Sequence, residues 1–174
     1  MEATFASLVY QKGTPPAPPG WTLVDKNDRI NLWKKEEGTG LVLAIRGTRV
    51  SDGNDLRADL TIFINQLQRT NIYKKLNKYV KSVAKKYPGS PLTLTGHSLG
   101  GSLVLALLKD NLQLITKAYA YNPGVSPAQI KNHFLSVCMT KKCKRDKRSV
   151  KDKAKVFTTG ADIISGLSIL QGAK

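Results

Sequence analysis

The strongest constraint in this sequence is a glycine–serine–glycine pattern at Gly96, Ser98 and Gly100. A β-prone run, Leu92 to Thr95, precedes the pattern, and an apolar segment around Leu103 to Leu107 follows it. In a strand–turn–helix context of this kind, the serine has a strained backbone conformation and an exposed hydroxyl. Glycines are needed two residues to either side because side chains there would collide with the neighbouring strand and helix. The pattern predicts a sharp turn that presents Ser98 at a helix N-terminus; the alternative is a glycine-rich turn that only begins a helix.

Strands and helices alternate along the rest of the chain. The continuous apolar run Leu41–Ile45 is typical of a strand buried on both faces. It follows Ile30–Lys34, and the two predict a β-hairpin or two successive strands. Apolar residues at helical spacing predict helices between residues 55 and 67, 72 and 87, and 126 and 137, and further strands are predicted at 115–121 and 155–158. This alternation predicts an α/β fold with a mostly parallel central sheet flanked by helices.

Length and composition favour one ordinary folded domain. The chain has 174 residues, which is within the usual range for a single domain. We expect neither a transmembrane segment nor a secretory signal, since no long apolar run is present, and therefore a cytoplasmic or membrane-peripheral protein. Cys138 and Cys143 are too few for a disulfide framework and poorly spaced for zinc, which leaves two reduced thiols or one local bridge. No metal or cofactor site is predicted.

Positive charge is concentrated in two segments. The formal net charge is +16, and residues 69–86 hold seven basic residues and no acidic one. Residues 141–155 hold nine basic and two acidic residues. Clusters of this kind suit an anionic membrane surface or a nucleic acid, or they are solvated faces that keep the protein soluble. Nucleic acid is the less favoured partner because no aromatic residues interleave the second segment.

Several blocks of the chain are similar to one known family. The block LTGHSLGG at Leu94–Gly101 closely matches that family's nucleophile turn, and LVLAIRGT at Leu41–Thr48 is similar to its oxyanion strand. DLRADLT at Asp55–Thr61 and VFTTGADIIS at Val156–Ser165 resemble the lid region and the loop of the acidic residue. In these blocks, spread over about residues 30–166, the sequence resembles the class 3 (fungal-type) lipases of the α/β-hydrolase superfamily. The resemblance implies a single lipase-like domain over residues 1–174, a small or truncated version of that fold, with residues 141–155 as a basic insertion.

The resemblance assigns roles to particular residues. It implies that Ser98 is the nucleophile and that Asp162 is the acid that orients a catalytic base. The backbone N–H of Leu99, next to the nucleophile, and that of Thr48 would donate to the oxyanion. The implied reaction is hydrolysis of carboxylic esters of lipids through an acyl-enzyme on Ser98, without a cofactor or metal.

The catalytic base is missing from its expected position in the sequence. In this superfamily a histidine follows the acidic residue along the chain, and no histidine follows Asp162. His97 lies inside the turn and is expected to point away from the serine. His133 lies between Ser98 and Asp162, on a predicted helix that leads away from the site. Three explanations stay open: a histidine beyond this chain's last residue, another base such as His133 or a partner's group, or a lipase-like protein without activity.

Two functions therefore follow from the sequence. The first is a lipase- or esterase-like serine hydrolase, in which the amphipathic segment Asp55–Gln68 is either a lid over an acyl groove or a core helix. The alternative is a catalytically impaired lipase-like protein that binds anionic lipid or nucleic acid through its basic segments. Oligomeric state is not predicted.

Overall fold

A computed structural model describes residues 1–47, 66–123 and 149–157. Within these ranges, six strands form one sheet in the order in which they occur along the chain. The strands are β1 (Trp21–Lys26), β2 (Ile30–Lys35), β3 (Leu41–Ile45), β4 (Leu92–His97), β5 (Lys117–Tyr121) and β6 (Ala154–Phe157). The described residues also include helices α1 (Glu2–Leu8), α2 (Asn71–Lys86) and α3 (Leu99–Asp110), a 3₁₀ turn at Leu67–Arg69 and helical residues 149–153 directly before β6.

The sheet is antiparallel at one side and parallel over the rest. β1 pairs with β2, and β2 with β3, in antiparallel fashion. The pairs β3–β4, β4–β5 and β5–β6 are parallel, and helices α2 and α3 lie in the first two of these crossover connections. The predicted pairing of residues 30–34 with 41–45 is confirmed as a hairpin, and so is the mostly parallel α/β sheet. The parallel arrangement brings the carboxyl ends of β3 to β6 to one edge of the sheet.

The central strand β3 separates two apolar clusters. All five of its residues are buried, as the continuous apolar run predicted. Leu41, Leu43 and Ile45 belong to the larger cluster, together with the apolar faces of α2 and α3. Val42 and Ala44 belong to the second cluster, which α1 supplies with Phe5, Leu8 and Val9. Successive side chains of a strand point to opposite faces, so helices cover both sides of the sheet.

Helix α2 forms because its sequence supplies both a cap and an apolar stripe. The Thr70 hydroxyl accepts a hydrogen bond from the backbone N–H of Tyr73 at 3.1 Å, which caps the first turn. Four side chains at helical spacing are buried: Tyr73, Leu76, Val80 and Val83. The helix ends at Lys86, and Gly89 follows with a φ of 75°. The predicted helix between residues 72 and 87 is confirmed.

Two elements near the N-terminus were not predicted. Helix α1 has seven residues, and β1 carries the half-exposed sequence WTLVDK. The predicted helices at 55–67 and 126–137 lie largely or wholly outside the described residues. Within the described ranges, no helix combines the length and apolar character required to cross a bilayer.

Candidate active site

Ser98 lies in the turn between β4 and α3, with a backbone conformation that is rare for a residue with a side chain. Its φ is 55° and its ψ is −129°, and it directly precedes the first residue of α3. Such a conformation costs on the order of 1–3 kcal/mol and persists only where the surroundings impose it. Ser98 is half-buried, and among the described residues its side chain makes no capping hydrogen bond to α3. The strand–turn–helix context predicted from the glycine pattern is therefore present.

Gly96 and Gly100 are required in the turn because neighbouring backbone atoms leave no room for a Cβ at either position. A Cβ at Gly96 would be 2.6 Å from the backbone carbon and oxygen of Gly100. A Cβ at Gly100 would be 2.2 Å from the carbonyl oxygen of Ile45 and 3.0 Å from the Gly47 nitrogen. These neighbours are backbone atoms, which cannot rotate away as a side chain could. The turn thus brings the start of α3 into direct contact with the end of β3.

Helix α3 places the positive end of its dipole at Ser98. The helix runs for 12 residues and is buried from Leu99 to Leu108. The first backbone N–H groups of a helix have no partner within it, and they carry partial positive charge. The N–H of Leu99 is the first of these groups, so the turn offers a donor and a favourable field for negative charge next to the Ser98 hydroxyl.

The end of β3 is held by side chains from two other elements. The guanidinium of Arg29, just before β2, donates to the carbonyl oxygen of Gly47 at 3.5 Å. Burial, followed by the nearby charge of Arg46, lowers the pKa of Arg29. The Tyr10 hydroxyl accepts a hydrogen bond from the Gly47 N–H at 3.0 Å. Thr48, the predicted oxyanion residue, is the next residue in the chain and lies outside the described residues.

The end of β5 contacts the turn from the other side. The Ser98 N–H donates to the carbonyl oxygen of Tyr121 at 2.9 Å, and the Asn122 N–H donates to that of Phe157 at 2.7 Å. Asn122 has a φ of 40°, and within the described chain only Asn122 and Ser98 combine a side chain with a positive φ. The chain therefore turns sharply after both β4 and β5 at the carboxyl edge of the sheet, which is where open α/β sheets bind ligands.

His97 is the one described histidine, and its ring lies against a tyrosine. The ring is exposed and meets the Tyr10 ring edge-on, with 6.3 Å between the centroids. Its carbonyl oxygen accepts a hydrogen bond from the Tyr10 hydroxyl at 3.3 Å. Burial raises the pKa of Tyr10, an effect that the Gly47 N–H and the charges of Arg46 and Arg29 partly offset. This hydroxyl is therefore protonated at neutral pH and can donate.

The predicted site residues divide into two groups. The structure brings Ser98 and the N–H of Leu99 together at the start of α3. Thr48, Asp162 and His133 lie outside the described residues, so their roles stay predictions. Among the described residues, no cluster of three or more histidine, cysteine, aspartate or glutamate side chains could hold a metal ion.

Tyr10 was missed by the sequence analysis. It is 37 residues from Gly47 and 87 from His97 along the chain, and the hydrogen bonds that join them depend on tertiary structure. A tyrosine at the end of a short segment carries no local signal for such a contact.

A protein-family model, a curated relative and a solved structure each match this chain. The family model for class 3 lipases matches residues 60–163, which is more than half of the chain. A GDSL esterase/lipase of Arabidopsis thaliana is 30% identical over 125 residues, and the match covers 68% of this chain and 33% of that protein. The chain therefore spans about a third of the length of this curated relative. The crystal structure of Lip2 lipase from Yarrowia lipolytica is similar with a TM-score of 0.55 and 19% identity, over 97% of this chain and 72% of that one. This likeness supports the α/β-hydrolase type of fold.

Proposed function

Because this chain belongs to the class 3 lipase family, we propose that it is a lipase- or esterase-like hydrolase that cleaves carboxylic esters through Ser98. One observation carries the proposal: Ser98 has a φ of 55° at the N-terminus of a buried helix, between the ends of two parallel strands. A strained conformation that the surrounding packing maintains is typical of functional sites. The names of the similar proteins, lipase and esterase/lipase, support the same class of substrate.

The proposed reaction passes through an acyl-enzyme. The Ser98 Oγ attacks the ester carbonyl carbon while its proton passes to a base, and the carbonyl oxygen becomes an oxyanion. The N–H groups of Leu99 and Thr48 stabilise that oxyanion, aided by the dipole of α3. The bond to the alcohol then breaks, and the alcohol leaves with the proton from the base. Water then attacks the acyl carbon while the same base takes its proton, the bond from that carbon to the Ser98 Oγ breaks, and the base returns the proton to Oγ as the carboxylic acid leaves.

The base and its orienting acid are proposed from the family pattern. We assign Asp162 to orient the base, because the block Val156–Ser165 resembles the family's loop that carries the acidic residue. We propose His133 as the histidine of this chain to test as the base, because His97 lies inside the turn with its exposed ring against Tyr10. A group from a partner chain is the alternative source of the base in this proposal.

The first experiment is labelling by a fluorophosphonate probe with hydrolysis of a short-chain p-nitrophenyl ester in parallel. We expect labelling and turnover in the wild type and neither in Ser98→Ala. Ser90→Ala is the matched control because Ser90 lies in the loop before the opposite end of β4, and it should label like the wild type. Loss of turnover in His133→Ala with the fold retained would identify the base. A folded wild type that neither labels nor turns over ester would overturn the proposed hydrolase.

A second candidate function is supported by the surface of α2. Seven basic side chains of residues 69–86 are exposed, opposite the buried stripe of the helix, and the segment contains no acidic residue. Each lysine or arginine close to an anionic bilayer contributes about 1 kcal/mol to binding. We propose that this basic face attracts the protein to anionic phospholipid surfaces, either beside the hydrolase activity or in its place. The seven residues are Arg69, Lys74, Lys75, Lys78, Lys81, Lys85 and Lys86.

Vesicle sedimentation tests the basic face directly. We expect binding to phosphatidylserine-containing vesicles and not to pure phosphatidylcholine vesicles, and weaker binding at high salt because salt screens exposed charges. Reversal of four α2 lysines to glutamate should abolish vesicle binding. Four lysine reversals elsewhere change the net charge by the same amount and should leave most of the vesicle binding intact. The α2 set is Lys74, Lys78, Lys81 and Lys85, and the matched set is Lys12, Lys26, Lys35 and Lys117, all exposed. Equal loss in both sets would contradict a specific face, and preference for an oligonucleotide over vesicles would favour nucleic acid as its partner.

A further inference from the structure

We infer that Tyr10 is a positioning residue whose hydroxyl holds the end of β3 against the turn that carries Ser98. The inference rests on the proposed function, because the position of the end of β3 matters to catalysis only if the oxyanion forms there. Tyr10 lies just after α1, in a part of the chain that none of the sequence motifs covers.

One hydroxyl group makes both contacts. The Gly47 N–H donates to the Tyr10 oxygen at 3.0 Å, and the Tyr10 O–H donates to the His97 carbonyl oxygen at 3.3 Å. A phenolic hydroxyl can accept and donate at once, so the two bonds are compatible. Gly47 directly precedes Thr48, and His97 directly precedes Ser98. The hydroxyl thus joins the backbone next to the proposed oxyanion donor with the backbone next to the proposed nucleophile.

The Tyr10 hydroxyl contacts Gly47 and His97 at a point where the β3–β4 pairing has already ended. The parallel pairing of β3 with β4 ends at Ile45 and Gly96. The Gly47 N–H and the His97 carbonyl lie beyond that last pair, and Gly47 is buried. A buried N–H without a partner costs about 1–3 kcal/mol. The Tyr10 hydroxyl supplies the hydrogen bonds that the sheet does not, and it spans the gap between the two strand ends.

Helix α1 fixes the position of Tyr10. Phe5 is fully buried between Trp21 and Trp33, with ring centroids 5.1 Å and 5.7 Å away. The Thr95 hydroxyl donates to the Glu2 carbonyl oxygen at 3.0 Å, which ties the helix to β4. The helix is therefore packed on the sheet, and Tyr10 follows two residues after its end. Because α1 is packed on the sheet, the Tyr10 hydroxyl has a fixed position from which it can bond the ends of both β3 and β4.

The expected effect follows from the cost of a misplaced oxyanion donor. Outright removal of one such donor typically lowers kcat by about 10²–10³. Loss of the Tyr10 hydroxyl leaves the donor in the chain and loosens its position, so we expect kcat to fall by roughly tenfold, less than for removal. KM should change little, because the hydroxyl is proposed to act on the reacting centre and not on the rest of the substrate.

Tyr10→Phe tests the inference, with Tyr79→Phe as the matched control. Tyr79→Phe likewise removes a phenolic hydroxyl, which in the wild type donates to the Asp25 carboxylate of β1 at 2.6 Å. We expect Tyr10→Phe to lower kcat and the rate of fluorophosphonate labelling roughly tenfold, and the control to leave both unchanged. Amide hydrogen exchange gives a readout independent of activity: the Gly47 N–H should exchange faster in Tyr10→Phe than in the wild type or in the control.

The outcomes separate this inference from the proposed function. A wild type that labels, with Tyr10→Phe labelling at the same rate, overturns the positioning role and leaves the hydrolase intact. Unchanged Gly47 exchange in Tyr10→Phe overturns it as well, whatever the activity. A parallel fall of kcat and thermal stability in both tyrosine variants would indicate a general structural effect and also count against it. A folded wild type without labelling overturns the hydrolase, and the catalytic part of this inference with it.

Discussion

The backbone N–H of Ser98 donates a hydrogen bond to the carbonyl oxygen of Tyr121, 2.9 Å away on the neighbouring strand β5. The carbonyl oxygen of Ser98 accepts one from the N–H of Ser102, at 3.2 Å within α3. Both backbone groups of a residue with a φ of 55° are therefore bound, one to the sheet and one to the helix. These bonds hold the residue in its strained conformation.

The strain at Ser98 predicts a difference between two substitutions. Ser98→Ala keeps a Cβ at a positive φ, whereas Ser98→Gly removes it. Relief of this positive-φ conformation is worth about 1–3 kcal/mol, and glycine gives back about 0.5–1 kcal/mol in chain entropy. We expect Ser98→Gly to be more stable than Ser98→Ala by roughly 0.5–2 kcal/mol in urea unfolding, with neither variant labelled by the fluorophosphonate. An alanine variant equal to or more stable than the glycine variant would mean that the turn is relaxed in solution.

The contact between α3 and β3 predicts a second difference. In Gly100→Ala the new Cβ would lie 2.2 Å from the Ile45 carbonyl oxygen, so backbone must move. We expect a loss of about 1–3 kcal/mol or more in the free energy of unfolding. Gly101→Ala is the matched control, since its Cβ would meet Gly96 and Pro123 at 3.2–3.3 Å and alanine favours helix. Its cost should be clearly smaller, and equal losses from urea unfolding would contradict the close contact.

The parts of the structure that local patterns specify were predicted from the sequence. The turn at Ser98 was predictable because the glycine–serine–glycine pattern, the β-prone run before it and the apolar run after it lie in one short stretch of the sequence. Helix α2 was predictable because its apolar stripe repeats at the helical period up to a strong stop. The helical period did not reveal how deeply each apolar residue of α2 is buried: Tyr73 is buried, whereas Tyr79 is only half-buried.

The parts that depend on distant contacts were not predictable. Helix α1, with seven residues, is too short for its period to stand out, and β1 is held by pairing with β2 and not by its own alternation. The contacts of Tyr10 with Gly47 and His97 exist only once α1 has packed against the sheet. The turn at Ser98 was thus predictable from a motif, whereas α1 and the contacts of Tyr10 that follow from its packing were not.

Tyr73 predicts how stability changes at alkaline pH. Its hydroxyl donates to the Asp110 carboxylate, and burial followed by this bond raises the pKa of Tyr73. Since the folded-state pKa is the higher, the contribution is fully present below about pH 10 and is lost as the pH rises through the folded-state value. We expect Tyr73→Phe to be less stable than the wild type by about 1 kcal/mol near neutral pH, and the difference to shrink above about pH 10. Urea unfolding across this range measures it, and parallel curves would contradict the raised pKa.

Phe5 predicts how firmly α1 is held on the sheet. Its side chain is fully buried and lies edge-on to Trp21 and tilted to Trp33. We expect Phe5→Ala to lower the free energy of unfolding by about 3–5 kcal/mol, because truncation leaves a cavity between rings that cannot close it. Ser7→Ala, on the exposed side of the same helix, should change stability by less than about 0.5 kcal/mol. If urea unfolding followed by circular dichroism gave equally small losses for both, α1 would be only loosely attached in solution. Tyr10 would then lack the support that its contacts with Gly47 and His97 require.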